Sequence, residues 1–344
     1  MHLDEGGSDG HISAPSLAKR PWHTYFVVLK FNSLMENVVI IGSGCAGYTA
    51  AIYTARAGLK PLLVTGSQPG GLLTTTSIVE NFPGFPEGVD GTTLMMQMQA
   101  QAERFGARLQ FGSVVEAADL KSNPFKLTVD GQVVETRTVI IATGAGHKHL
   151  GLESEHLLDK KGVTYCATCD GALPMFRNKP LVVVGGGDSA CEEAMYLTRF
   201  GSVVYLIHRR DTLRASKIMA ERTLANPKIK PVWDSTVEEI LDVKAGKVTG
   251  VKVKNLKTNE VTTLDAAGVF VAIGHVPNTQ LFKGVIDMNE NGFINPTRGS
   301  ETNIPGVFVA GDCSDHVYRQ AITAAGMGCM AAIDAERYLA SLNQ

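Results

Sequence analysis

The stretch that decides the fold is residues 37–58, NVVIIGSGCAGYTAAIYTARAG. It opens with an unalternating run of Val and Ile, which is typical of a parallel strand buried on both faces. The run leads into Gly42-x-Gly44-x-x-Gly47 and a small-residue segment that ends at Gly58. In this spacing the first glycine permits a tight turn, the second lets a pyrophosphate approach the backbone, and the third lets the helix pack on the strand. The stretch predicts a Rossmann-like unit that binds a dinucleotide.

A second copy of this pattern occupies residues 181–201, LVVVGGGDSACEEAMYLTRFG. Its glycine loop reads Gly185-x-Gly187-x-x-Ala190, at a constant offset from the first copy. Each copy leads into a further apolar strand, LKPLLVTG in the first and SVVYLIHRR in the second. So regular an internal repeat predicts two dinucleotide sites in one α/β chain, and hence two different dinucleotides.

The residues that follow each second strand indicate which dinucleotide is bound. An NAD site usually has a carboxylate about 20 residues past the first glycine, to bond the ribose 2′-hydroxyl. The second unit has Arg209, Arg210 and Arg214 there, whose guanidinium groups suit the 2′-phosphate of NADP. A solvated basic turn is the alternative. The first unit has only the loop 65–71, whose backbone N–H groups suit an anion. This loop fits FAD, with NAD as the alternative that spacing leaves open.

Composition excludes several classes of function. A chain of 344 residues exceeds what one hydrophobic core usually supports, which predicts two domains. The formal net charge of −2 gives no basic excess to neutralise a nucleic-acid backbone. No apolar run approaches the roughly 18 residues that a membrane helix needs. We therefore expect neither a nucleic-acid partner nor a membrane span.

The sequence CATCDG contains a CxxC pair, Cys166 and Cys169, followed by Asp170. No second CxxC or HxxxH completes a zinc site, so we expect no metal. A haem attachment motif would need His at position 170. The chain is too long and too poor in cysteine for a secreted disulfide scaffold. A redox dithiol or a chance pair remains.

The first 34 residues are polar and aperiodic, and we interpret them as a disordered extension without function, upstream of a start at Met35. A transit peptide is the alternative, although Asp4, Glu5 and Asp9 have the wrong charge for one.

From Met35 onward the chain resembles the bacterial-type, low-molecular-weight thioredoxin reductases. The resemblance is carried by GSGCAGYTAAIYTARAG, GGLLTTTSIVENFPGF, IIATGA, CATCDG, GGGDSACEEA, HRRDTLRA, FVAIGHVPNT and GVFVAGDC…HVYRQAITAAGMGCMAA. The family often has Glu where this chain has Gln68, and Gln where it has Leu72. The resemblance implies two Rossmann-like domains in a cytoplasmic homodimer. An NADPH-binding domain, residues 149–273, is inserted into an FAD-binding domain, residues 35–148 and 274–344.

The resemblance also implies which residues serve the reaction. The catalytic residues would be Cys166, Cys169 and Asp170. The residues expected to bind FAD are Gly42, Ser43, Gly44, Ala46, Gly47, Thr65, Gly66, Gly70, Gly71, Leu72, Asn81, Val114, Thr143, Gly144, Gly311, Asp312, Arg319, Gln320 and Ala321. Those expected to bind NADPH are Gly185, Gly187, Asp188, Ser189, His208, Arg209, Arg210, Arg214, Ile273 and Gly274.

In that family electrons pass from NADPH to FAD, then to the CxxC disulfide and finally to thioredoxin disulfide. Asp170 would relay a proton to or from a thiol, with a helix N-cap as its alternative role. The NADPH domain would rotate between half-reactions through linkers near residues 149 and 274. We expect the remaining cysteines to be structural, and we assign His275 no catalytic role.

Two other functions are compatible with the motifs. A flavin-dependent dithiol oxidase shares the two units and a CxxC, but passes its electrons to oxygen and generally lacks the arginine cluster. A redox sensor of the same fold would bind nucleotides without turnover.

Overall fold

The computed structural model describes residues 35–75 and 78–342. The disordered extension that we predicted for residues 1–34 lies outside these described residues. The described α-helices are α1 Cys45–Arg56, α2 Gly91–Arg104, α3 Glu153–Leu157, α4 Ala167–Asp170, α5 Asp188–Leu197, α6 Lys217–Ala225 and α7 Ala321–Ser341. The described strands are β1 Glu36–Ile41, β2 Leu62–Val64, β3 Ile78–Val79, β4 Val89–Asp90, β5 Arg108–Gln110, β6 Val115–Asp119, β7 Phe125–Val129, β8 Gln132–Ile141, β9 Ala145–His147, β10 Val163–Thr164, β11 Pro180–Val184, β12 Val203–Ile207, β13 Ile229–Val232, β14 Ser235–Leu241, β15 Gly250–Asn255, β16 Val261–Asp265, β17 Gly268–Val271, β18 His275–Pro277 and β19 Val307–Val309.

The first sheet is built around β1, the strand of the first glycine motif. Its order is β5-β2-β1-β8-β7-β6, and β19 also pairs with β8. Strand β1 runs parallel to β2 and β8, as its unalternating apolar run predicted. Helices α1 and α7 pack together, so closely that a Cβ on Gly328 would lie 2.2 Å from the carbonyl oxygen of Ala46. This close packing holds the helix of the glycine motif in place on the sheet.

The second sheet repeats the arrangement around β11. Its five strands, in the order β10-β17-β11-β12-β13, are all parallel. On β11, Val182 and Val184 belong to one buried cluster, while Leu181 and Val183 belong to another. The strand is therefore buried on both faces, which explains why its sequence does not alternate. The predicted α/β fold with two Rossmann-like units is confirmed.

A two-stranded ribbon connects the segments in which we expected the domain boundaries. Strands β9 and β18 pair antiparallel, with His147 opposite His275. The ribbon continues into a hydrogen bond from the Lys148 N–H to the Gly274 carbonyl, at 2.9 Å. The boundaries at 148/149 and 273/274 stay a prediction, but both fall at the end of this ribbon. An antiparallel sheet, β14-β15-β16, follows the last parallel strand β13, much as antiparallel β6 and β7 follow β5 in the first unit.

Candidate functional site

The glycines of the first motif divide into those that contact backbone and one that faces open space. Gly42 has φ +105°, and a Cβ there would lie 2.3 Å from the Ala142 carbonyl oxygen. A Cβ on Gly47 would lie 1.9 Å from the Gly42 carbonyl oxygen. A Cβ on Gly44 would meet nothing within 4 Å. The turn thus leaves room above Gly44, where the sequence predicts a pyrophosphate.

The second motif repeats this geometry. A Cβ on Gly185 would lie 2.5 Å from the carbonyl oxygen of Ala272, which directly follows β17 as Ala142 directly follows β8. A Cβ on Gly187 would meet nothing within 4 Å. Both glycine loops therefore have the form of a dinucleotide cradle.

A large cleft of about 1620 Å³ opens over the first glycine loop. It exceeds the roughly 300–1,000 Å³ of an ordinary ligand pocket, as an extended dinucleotide requires. All the residues predicted to bind FAD line it except Gly47, which is used in packing. Those lining residues are Gly42, Ser43, Gly44, Ala46, Thr65, Gly66, Gly70, Gly71, Leu72, Asn81, Val114, Thr143, Gly144, Gly311, Asp312, Arg319, Gln320 and Ala321.

Two polar atoms of the residues predicted to bind FAD are buried and have no protein partner. They are Thr143 Oγ1 and Asp312 Oδ1. Burial raises the pKa of the Asp312 carboxyl to about 6, with Asp315 adding to the effect and Arg319 opposing it. Buried polar atoms normally have a hydrogen-bond partner, so these two are suited to a polar ligand such as the nucleotide part of FAD. The residues present fit that cofactor.

The basic cluster is fixed directly to the second glycine loop. The Arg214 N–H donates to the Gly186 carbonyl at 2.6 Å, and Asp188 Oδ1 accepts from the Ser216 N–H at 2.9 Å. His208 Nε2 is buried without a partner. Burial and the charge of Arg214, followed by the other two arginines, lower the pKa of His208. A concentration of positive charge beside a glycine loop fits the 2′-phosphate of NADPH.

The cysteine pair forms a disulfide on helix α4. The S–S distance is 2.05 Å and the Cα–Cα distance is 5.3 Å. Cys166 is the N-cap of the helix, and its sulfur accepts from the Cys169 N–H at 3.2 Å. The alternative role of Asp170 as an N-cap is therefore wrong, because Asp170 is the last residue of α4. Burial raises the pKa of Asp170, against the opposing effect of a hydrogen bond from the Thr164 hydroxyl.

The cleft brings the disulfide together with the predicted FAD residues. Cys166, Cys169 and Asp170 all line it. Gln320 Nε2 donates to Thr168 Oγ1, between the two cysteines, at 3.3 Å, and Asn81 Nδ2 donates to Gln320 Oε1 at 3.3 Å. Of the predicted NADPH residues, all of which are described, Ser189 alone lines the cleft. The structure places the arginine cluster elsewhere.

One buried acidic residue in the cleft was not predicted from the sequence. Glu193 lines the cleft, and its Oε2 is buried without a partner. Burial raises its pKa to about 7, with Arg319 and the Ala167 backbone N–H opposing that effect. A signal was present, because Glu193 lies three residues after Ala190 and four before Leu197, two buried positions of α5. Its neighbour Glu192 also lines the cleft but is exposed.

A group of rings at the ribbon was also missed. His147, His149, Tyr165 and His275 line the cleft beside Arg319.

The described residues contain no group of three or more His, Cys, Asp or Glu side chains able to hold a metal ion. Across residues 35–75 and 78–342, no helix has both the length and the hydropathy that crossing a membrane requires.

Comparison with known proteins assigns the family. Residues 36–328 match the family described as Pyridine nucleotide-disulphide oxidoreductase. The thioredoxin reductase of Streptomyces coelicolor is 53% identical over 313 residues, which are 90% of this chain and 95% of that protein.

Two solved structures with nearly the same sequence identity to this chain superpose on it with different TM-scores. The thioredoxin reductase of Streptococcus pyogenes, at 40% identity, covers 90% of this chain and 100% of its own, with a TM-score of 0.84. The thioredoxin reductase of Lactococcus lactis in its FR conformation, at 41% identity, covers 89% of this chain and 99% of its own, with a TM-score of only 0.61. The chain belongs to the pyridine nucleotide-disulphide oxidoreductase family and, within it, to the thioredoxin reductases of the low-molecular-weight bacterial type.

Proposed function

We propose that this protein is an NADPH-dependent thioredoxin-disulfide reductase that uses FAD and the Cys166–Cys169 pair. The observation that carries the proposal is the position of the disulfide, which lies in one cleft with the predicted FAD residues. A chance CxxC pair would have no reason to lie there. In net terms, NADPH and one proton reduce one protein disulfide to two thiols and leave NADP⁺.

The first glycine loop would hold FAD, with Thr143 and Asp312 offering their unpaired atoms to it. The second loop would hold NADPH, with the arginine cluster on the 2′-phosphate. FAD bound in the cleft would supply the two-electron chemistry that connects NADPH to a disulfide. The protein's own contribution is to position the Cys166–Cys169 pair beside that site and to exclude other electron acceptors.

Asp170 would manage the proton at the dithiol. A thiol attacks a disulfide only as its thiolate, and an unperturbed thiol with a pKa of about 8.5 is mostly protonated at neutral pH. Burial raises the pKa of Asp170, which moves this carboxyl towards the range in which it exchanges protons at working pH. It lies next to Cys169 in the chain, so it can take a proton from one thiol and return it to a leaving thiolate.

Transfer through both nucleotide sites requires a second arrangement of the chain. The cleft contains the disulfide and, of the residues predicted to bind NADPH, only Ser189, while the arginine cluster lies outside it. We infer that NADPH held at that cluster reaches the flavin in a different arrangement. The weaker superposition on the L. lactis enzyme in its FR conformation, at nearly the same identity, supports a large difference in arrangement within the family. We propose that residues 149–273 rotate about the β9–β18 ribbon.

The remaining elements of the proposal follow from the family. Thioredoxin disulfide would be the partner that the dithiol reduces, and the enzyme would work as a cytoplasmic homodimer. The oxidase alternative is disfavoured by the arginine cluster fixed to the second glycine loop. A sensor without turnover is disfavoured by a disulfide held in the flavin cleft.

The test is NADPH oxidation by the purified holoenzyme with thioredoxin disulfide, for the wild type, Cys169→Ser and Cys329→Ser. Cys329 is a matched control because it is a free, partly exposed cysteine that does not line the cleft. We expect turnover with NADPH, little with NADH, loss in Cys169→Ser and full activity in Cys329→Ser. Oxygen consumption equal to NADPH consumption, with thioredoxin left oxidised, would instead identify an oxidase. Slow NADPH oxidation equal in all three proteins would show that the dithiol is idle.

A further inference from the structure

Four side chains form a continuous line from the predicted FAD half to the dithiol. Arg319 Nη1 contacts His275 Nδ1. The His275 ring meets the His147 ring edge-on, with centroids 4.8 Å apart. The His147 ring is stacked on Tyr165, with centroids 4.9 Å apart and planes 15° apart. Tyr165 directly precedes Cys166. We name Arg319, His275, His147 and Tyr165 the hinge stack.

Each member of the hinge stack lies on a different part of the chain. Arg319 precedes α7, which packs against α1 of the first unit. Tyr165 lies between β10 and α4 in the second unit. His147 and His275 are directly opposite each other in the β9–β18 ribbon, about which the rotation is proposed. Any movement of the dithiol segment relative to the first sheet must therefore separate at least one contact of the stack.

The two histidines are held in their neutral form. Arginine has no acceptor, so His275 Nδ1 must accept its hydrogen bond, which places the ring proton on Nε2. Burial lowers the pKa of His275 to about 3 and that of His147 to about 4, and the charge of Arg319 contributes to both. Neutral rings stack on Tyr165 without repelling Arg319, so the line stays intact at neutral pH.

Tyr165 is fixed on its other side as well. Its hydroxyl donates to Glu155 Oε1 at 3.1 Å and lies 3.0 Å from His149 Nδ1. Glu155 is fully buried and accepts the backbone N–H groups of Leu150 and Gly151. The ring is therefore held by the second unit, while its face is offered to His147.

We infer that the hinge stack positions the Cys166–Cys169 pair in the cleft, and that its separation at the His147–Tyr165 contact is a step of the proposed rotation. The role of the hinge stack in turnover rests on the proposed function. Its effect on the relative arrangement of the two units does not. His275, His147 and Tyr165 are positioning residues, because they act on the dithiol through the backbone of residues 165–166 and not on the reacting atoms.

The test measures the arrangement directly in the oxidised holoenzyme. Spin labels at Lys121→Cys, in the β6–β7 turn, and Lys244→Cys, in the β14–β15 turn, report the distance between the halves. Both positions are exposed, and a Cys329→Ser background prevents labelling at residue 329. Loss of one stacked aromatic pair is expected to shift the ratio of the two arrangements roughly two- to twelve-fold. We expect that shift in His147→Ala and Tyr165→Ala.

Two variants are matched controls. His147→Phe keeps a ring to stack on Tyr165 and is expected to restore the wild-type distances. His156→Ala removes a histidine whose ring lies 5.5 Å from His149, outside the hinge stack, and is expected to leave the distances unchanged.

The rates of the two half-reactions distinguish the inferred role from a purely structural one. In His147→Ala, flavin reduction by NADPH should become faster while dithiol-dependent thioredoxin reduction becomes slower. A fall in both rates with unchanged distances would overturn the inference, as would unchanged distances in both alanine variants. A shift in distance with no thioredoxin turnover even in the wild type would support the stack and reject the proposed function.

Discussion

Alanine substitutions at Gly47 and Gly44 are expected to have different effects. Gly47 packs against backbone, whereas Gly44 faces the space in which we expect the pyrophosphate of FAD. At Gly47 a Cβ would lie 1.9 Å from the Gly42 carbonyl oxygen, where real Cβ atoms do not come within 3.0 Å, so backbone must move. Overpacking of this kind costs up to about 3 kcal/mol, and alanine returns about 1 kcal/mol in helix propensity. The net loss of about 2 kcal/mol corresponds to about 3 °C in Tm, because the entropy of unfolding grows with chain length.

Gly44→Ala should behave in the opposite way. Its φ of −67° and ψ of −172° suit alanine, and the new Cβ meets no protein atom within 4 Å. Loss of glycine at an N-cap costs less than about 1 kcal/mol. The methyl group would instead occupy the space expected for the pyrophosphate, and a clash of about 1–3 kcal/mol would weaken FAD binding roughly 5- to 150-fold.

The assay is thermal unfolding of the flavin-depleted protein, paired with FAD titration followed by flavin fluorescence. Gly47→Ala should lose stability without FAD, whereas Gly44→Ala should keep its Tm and lose affinity. If Gly44→Ala bound FAD as tightly as the wild type, the space above the turn would not be the pyrophosphate site. If Gly47→Ala kept its Tm, the close approach of Gly42 and Gly47 would not constrain the fold.

The remaining predictions concern the second nucleotide site, the proton and the ring cluster. Arg209→Ala should raise KM for NADPH roughly 10- to 100-fold and leave that for NADH unchanged, since one charge-assisted contact is lost; steady-state kinetics with both nucleotides check this. Asp170→Asn should slow thioredoxin reduction roughly 100-fold but not flavin reduction by NADPH, as stopped-flow traces of the two steps would show. Burial, with the charges of His149 and Arg319, lowers the pKa of His147 to about 4. The unfolded chain therefore binds a proton below about pH 6.5 that the folded chain does not, so stability is lost as the pH falls from about 6.5 to 4. Urea unfolding at pH 7 and pH 5 should show a loss for this residue of up to about 2 kcal/mol that His147→Phe removes; an equal loss in both proteins would contradict it.

Local sequence patterns were sufficient to predict the parts of the fold that repeat. The runs before Gly42 and Gly185 are strands buried on both faces, and the glycines turn where their spacing predicted. The reason is that a glycine loop is a local requirement, satisfied within a few residues of chain. The sheet β14-β15-β16 carries no such motif, and the sequence reasoning did not anticipate it.

The sequence was sufficient to predict which residues line the candidate site, but not which side chains contact one another across it. Family motifs indicated the residues that line the cleft, including Asp312 and Arg319. They did not indicate that Arg319 meets His275, or that His147 stacks on Tyr165, because these contacts join distant segments. Such contacts depend on how the two units meet, which no local period of the sequence encodes.

The pairing of β19 with β8 has a consequence for biosynthesis. The first sheet gains Val307–Val309 only after most of the chain has left the ribosome, and α1 gains its partner α7 later still. All strands of the five-stranded parallel sheet lie between Val163 and Val271. Because domains fold as units during synthesis, we expect the second unit to form while the first still exposes its unfinished edge. The unit that starts first would then be the last to close.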